Sequence, residues 1–218
     1  MSFLKPCKPS NRPGRQRAIA ATVELVPDPA TMADRIAEIY SLATDAEHLD
    51  GAAWYPAARE IAELVATIGG WSTSAGAGII AALSPQCSWD ENIVRALAYA
   101  NGESVGATAD SVRKCDAIAR GEDPSTVLGG RKVRSFYRNI LGIDSAVTVD
   151  RHAVAIVYGR PLSDREIKLL ERAGAYTVIA SAYRAAARRL GIAPSTLQAV
   201  TWLAWRRLKA VDYVVESF

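Results

Sequence analysis

Apolar residues recur along the chain at intervals of three and four, and no stretch of useful length alternates with period two. That spacing predicts helices throughout, since a 3.6-residue turn needs one apolar face to pack. Asp28-Pro29 offers a cap and a proline at the first helical position, followed by Met32, Ile36, Ile39 and Tyr40 as a stripe. Pro56 predicts the start of a second helix, with Ile61, Leu64, Val65 and Ile68 on its apolar face and Gly69-Gly70 as its stop. Ser72 caps a third, small-residue helix ending at Ser84-Pro85. Ser88-Trp89-Asp90-Glu91 reads as a capping box opening a helix that stops at Gly102. Thr108 to Arg120 follows, then a short turn from Asp123-Pro124, then Lys132 to Leu141.

Val147-Thr148-Val149 is too short for a sheet strand and reads as an extended lead-in. Asp150 then stands where an N-cap would stand for a helix reaching Tyr158, with Gly159 as its stop. Ser163 and Glu166 form another capping box. Two last helices run from Tyr176 to Leu190 and from Ser195 to Lys209, split by Gly191 and Pro194. The expected fold class is all-α, with about ten short helices.

Composition narrows the function classes. Half of the 218 residues are hydrophobic and 22% are charged, which fits a globular chain with a sizeable core and excludes a disordered or fibrous one. Leu64 to Trp89 carries no charge, yet Gly69, Gly70, Ser72, Thr73, Ser74, Ser84, Pro85 and Gln86 break it far below the length a spanning helix needs, so no membrane partner is expected. Three cysteines (Cys7, Cys87, Cys115) and two histidines (His48, His152) assemble no CxxC, HExxH or iron–sulfur loop. No metal or cofactor is expected, and the odd, scattered thiols fit a reducing, cytoplasmic setting. The net charge of +3 is unevenly spread: residues 1–17 hold five basic and no acidic residues, leaving the rest close to neutral. Residues 1–27 therefore read as a flexible basic arm, either tracking a polyanion or simply solvated, ahead of a helical domain over 28–218.

The stretch Gly129-Gly130-Arg131-Lys132 followed by Thr148-Val149-Asp150-Arg151-His152 resembles the core of the helix-hairpin-helix DNA glycosylase superfamily, the endonuclease III-like group. There a glycine-rich hairpin leads through Gly-x-Lys into a helix, and Val-Asp-x-His places the essential aspartate at a helix N-terminus. The 18-residue separation of Lys132 and Asp150 is that of the lyase-active members. Thr126-Val127-Leu128-Gly129-Gly130 stands where the family has Leu-Pro-Gly-Val-Gly, without the proline and the first hairpin glycine. The chain is more similar to a divergent branch linked to phage DNA modification, which includes thymine pyrophosphorylases of hypermodification pathways. The resemblance implies a glycosylase-like fold of two lobes around a cleft, a monomer, and DNA as partner.

It also implies roles. Asp150 and Lys132 are the catalytic candidates, with Gly129, Gly130, Arg131, Arg134 and Arg151 on the DNA. Cleaving an N-glycosidic bond builds positive charge on the sugar, which a fixed carboxylate stabilises. A helix N-terminus orients a carboxylate and favours its negative charge. Asp150 reads equally as a simple helix cap, and Lys132 as a phosphate contact or an amine nucleophile. A flipped base needs an aromatic and polar pocket. Trp54, Tyr55 and Trp89 are candidates to stack on it, Gln86 and Asn92 to read its edge, and His152 to complete the wall in a structural role. Gln198, Trp202 and Trp205 share one face of the last helix, expected in the core. Arg184, Arg188 and Arg189, with Arg138, are expected to extend a positive surface around the site.

Three functions follow as expectations: a glycosylase releasing a modified pyrimidine, in repair or in defence against phage with modified DNA; a transferase or pyrophosphorylase acting on a thymine 5-substituent; and a non-catalytic DNA-binding module.

Overall fold

A computed structural model of the chain describes residues 26–172 and 174–215. Among these the fold is all-α, with eleven helices and no strand. Cys7 and nearly all of the expected basic arm lie outside the described residues.

The first helix, α1 (Pro29–Ser41), begins as its sequence dictates: the Asp28 carboxylate accepts from the backbone N–H groups of Ala30 and Thr31 at 3.0 and 3.1 Å. The second, α2 (Asp45–Gly69), corrects the expected start at Pro56, which lies inside it. Thr44 and Glu47 form a reciprocal capping box further upstream. Pro56 removes the N–H that the Ala52 carbonyl would receive. Both residues are exposed, so that carbonyl belongs to the solvent side of the helix, while Tyr55 and Ala58 on the buried face keep the helix packed and continuous. Glu47 also pairs with Arg207 at 2.8 Å, and that guanidinium holds its carboxyl below the usual carboxylate range.

Ser72 caps α3 (Thr73–Leu83), in which every residue from Ala75 to Leu83 is buried. Ser88 caps α4 (Trp89–Ala100), but only half of the predicted box forms, because the Glu91 carboxylate turns to Arg95. Then come α5 (Ala109–Ala119), the single turn α6 (Pro124–Val127) and α7 (Arg131–Ile140). Asp150 caps α8 (Arg151–Tyr158), which ends at Gly159 in the left-handed region (φ +68). The Ser163–Glu166 box opens α9 (Asp164–Arg172). Last are α10 (Ala175–Leu190) and α11 (Pro194–Val215), with Pro194 as the first residue of α11 rather than part of a break.

Two hydrophobic clusters organise these helices. One gathers α1, α8, α10 and α11 around Met32, Ile36, Ile156, Ile179 and Tyr183. The other gathers α2, α3, α5 and α7 around Val65, Ile79, Ile80, Leu83 and Ile140. The last helix belongs to both, through Leu197 and Trp205 on one side and Ala199 on the other. It crosses α2 closely at Gly51, where a Cβ would lie 2.5 Å from Val200 Cγ2. Among the described residues no single helix is long and apolar enough to cross a membrane. Only α2 and α3 taken together reach that length, and they are bent by 106°.

Candidate functional site

Asp150 owes its position to the segment before it. Val147, Thr148 and Val149 are buried and extended, but no sheet receives their backbone groups. Buried amides and carbonyls need partners, and side chains from two helices supply them. Asn139 on α7 donates from Nδ2 to the Ala146 carbonyl at 2.9 Å and accepts from the Thr148 hydroxyl at 2.9 Å. Tyr176 on α10 donates its hydroxyl to the Val147 carbonyl at 2.8 Å and accepts from the Val149 N–H at 3.3 Å. Asp150 then closes the segment by accepting from the Ala153 N–H at 2.8 Å. Neither Asn139 nor Tyr176 stood out in the sequence. Tyr176→Phe is expected to strand those two backbone groups and to cost about 1–3 kcal/mol in urea unfolding.

Three cavities adjoin at Asp150 and Lys132, and both residues line all three. The innermost measures about 170 Å³ and lies where the two hydrophobic clusters meet. Trp54 dominates it, with ring centroids 5.1 Å from Trp89, 6.0 Å from Phe136 and 6.3 Å from Trp202. Asn92 and Gln198 are the buried amides in its wall. The Tyr55 hydroxyl, its pKa pushed up by burial, donates to Gln198 Oε1 at 2.7 Å. Burial also pushes up the Cys87 thiol, which donates to the Leu83 carbonyl at 3.2 Å. That shift disfavours the thiolate, the form that acts as a nucleophile.

An outer cleft of about 590 Å³ shares Trp54, Trp89 and Trp202 with the inner cavity and adds Asp90, Arg151, His152 and Arg206. The Arg206 guanidinium lies 4.4 Å from the Trp202 ring, and His152 meets the same ring edge-on at 6.1 Å. A third cavity of about 580 Å³ opens on the side of α9 and α10, between apolar residues such as Val154, Leu170 and Ile179.

Burial lowers the His152 pKa from its ordinary 6.5, against the opposing pull of Asp150, and the cations Arg206, Arg151 and Lys132 lower it further. The imidazole is accordingly neutral at pH 7. As pH falls below 6.5 the unfolded chain takes up this proton before the folded one, so stability is expected to fall with it. Urea unfolding at about pH 7.5 and about pH 5.5 is expected to show that loss, with a smaller one in His152→Gln.

Asp150, Lys132, Trp54, Tyr55, Trp89 and Asn92 thus border one space, and His152 borders the cleft outside it. Gln86 does not belong with them. The chain turns at Gln86 through the left-handed region (φ +61), and its side chain is exposed and lines none of the three cavities. Gln198 and Trp202, expected in the core, line the cavity instead, with Gln198 in the polar place expected of Gln86, whereas Trp205 packs in the core as expected. Phe136, Thr148 and Arg206 are lining residues the sequence did not single out.

Among the residues expected on DNA, Gly129 and Gly130 are exposed, and Gly130 opens α7 at φ +72 with no side-chain cap on its first amides. Arg131 donates to the Thr177 hydroxyl, and Arg151 pairs with Asp164 at 2.9 Å on the surface. Arg134 is exposed but lines none of the three cavities. Two of the more distant arginines hold the fold: Arg184 donates to the Ser145 carbonyl and Arg189 pairs with Asp34.

Most of the chain, residues 22–209, matches the model of a family described as a family of unknown function (DUF7178). No curated protein and no solved structure matches the chain.

Proposed function

We propose that this chain, which belongs to the DUF7178 family, is a DNA-base-processing enzyme of the helix-hairpin-helix glycosylase type. It turns one nucleotide out of DNA and hydrolyses its N-glycosidic bond with Asp150. The observation that carries this reading is the placement of Asp150 and Lys132 on the wall of an aromatic cavity of ring size.

A nucleotide divides chemically in the same way as the site does. Its base is flat and uncharged, and Trp54, Trp89, Phe136 and Trp202 offer faces and edges to it. Its anomeric carbon, next in line, meets the Asp150 carboxylate, which stabilises the positive charge of an oxocarbenium-like transition state or activates water. Its phosphates, outermost, meet Lys132, Arg151 and Arg206 around the outer cleft. The three cations outnumber the carboxylates of Asp90 and Asp150 in that cleft, a balance that suits phosphates better than a cationic guest. The order of elements gives further support: α6, a three-residue connection, Lys132 in the first turn of α7, an extended segment, then Asp150 at the head of α8.

The test is incubation with DNA carrying varied bases, including DNA from phages with modified pyrimidines, followed by detection of abasic sites and of released base by mass. No abasic product on any such substrate would refute the proposal. The third cavity favours one second reading, because it places room for a co-substrate beside Asp150 and Lys132. In that reading the enzyme transfers a group at a base 5-substituent. Mass analysis of digested DNA then shows an intact nucleoside of changed mass and no free base.

A further inference from the structure

Asn92 carries an unexplained group. It is 2% exposed, and its Oδ1 is buried with no hydrogen-bond partner. The orientation of the amide is decided by its other end: Nδ2 donates to the Ile80 carbonyl at 3.1 Å. A carbonyl only accepts, so flipping the amide would set two oxygens against each other. The amide therefore keeps Oδ1 as an unfilled acceptor, buried in the unliganded protein, and Asn92 is a residue of the inner cavity's wall. A buried acceptor left empty costs about 1–3 kcal/mol, which an apolar residue at this position would avoid. Gln198, which lines the same cavity, is the complement. Its Oε1 already accepts from Tyr55, which leaves the amide nitrogen to serve a ligand.

We infer that the inner cavity takes one pyrimidine ring, edge first, with an N–H of that edge donated to Asn92 Oδ1 and an acceptor of the same edge receiving the Gln198 amide. The inference rests on the nucleotide reading above and names the base class within it. Ring size follows from volume. An enclosed apolar cavity of about 150 Å³ holds one benzene ring, and at about 170 Å³ this one is sized for one six-membered heterocycle. Every pyrimidine nucleoside with a free Watson–Crick edge pairs a donor with an acceptor there: the N3–H of a uracil beside its carbonyls, or the N4 amine of a cytosine beside N3. Asn92 is thus a specificity-determining residue rather than a catalytic one.

The experiment follows the five tryptophan indole N–H signals of the full-length protein by NMR. The titrants are 2′-deoxyuridine, its N3-methyl derivative, 2′-deoxycytidine, its N4,N4-dimethyl derivative and 2′-deoxyguanosine, each free and at the centre of a short oligonucleotide. Saturable shifts are expected for at least one unmethylated pyrimidine, with about tenfold weaker binding once its N–H is methylated, and weaker binding again for the purine. Which pyrimidine responds identifies the donor as N3–H or N4–H. Asn92→Leu is expected to abolish the methylation effect, and the methylated ligands test the wild-type protein even if that variant fails to fold. Equal binding of methylated and unmethylated pyrimidines, a purine bound as tightly, or no saturable shift at all would overturn the inference. Binding that depends on the N–H without base release would refute the glycosylase reading alone. Release of N-methylated and unmethylated bases at equal rates would refute this inference alone.

Discussion

Asp150→Asn is expected to slow base release roughly 100- to 1,000-fold while the protein stays folded. The two effects separate because the proposed function gives the side chain two jobs. As a cap it needs only an acceptor for the Ala153 N–H, now at 2.8 Å, and the asparagine amide oxygen serves as well. As a catalyst it needs a full negative charge beside the anomeric carbon, which asparagine lacks. Asp150→Ser keeps the cap too, with a shorter reach, and is expected to be equally inactive. Single-turnover assays of abasic-site formation, run beside urea unfolding, measure both quantities. Unchanged rates in both variants would make Asp150 a cap and nothing more, and no base release from the wild type either would leave the chain a DNA-binding module without chemistry.

Gly76→Ala is expected to destabilise the protein by about 2–3 kcal/mol. By helix propensity alone the change would stabilise α3 by about 1 kcal/mol. Packing reverses the sign. A Cβ on Gly76 would stand 2.1 Å from the Ala62 carbonyl oxygen and 3.1 Å from the Ala66 Cβ, so α2 and α3 must part. The site is built across that contact: α2 carries Trp54 and Tyr55, and α3 carries the Ile80 carbonyl that orients Asn92. Base release is therefore expected to fall beyond what the loss of folded protein explains. Gly106→Ala is the control, since nothing lies within 4 Å of its Cβ position and its backbone is not left-handed. Its unfolding midpoint in urea is expected to match that of the wild type within about 0.5 kcal/mol.

Much of the fold was legible along the chain because helix starts are local events. Asp28, Ser72, Asp123 and Asp150 each cap a helix within three residues of themselves, and each was readable at sight. Pro56 misled for a reason that is not local. Its orphaned carbonyl is tolerated because α2 turns that side to water and holds the other against α3 and α11. The supports of Asp150 were invisible for the same reason, since Tyr176 reaches Val147 and Val149 from another helix.

The sequence by itself determined the helical class, most helices and several of their caps, and the presence of a carboxylate at the head of α8 with a lysine 18 residues before it. Only the tertiary structure decided that Gln198 and Trp202 look into a cavity while Trp205 looks into the core, and that Gln86 looks into solvent. Periodicity reports that a helix has an apolar face. Whether that face meets side chains or an open space depends on how fully the facing helices fill the volume between them, and those helices are distant in the chain.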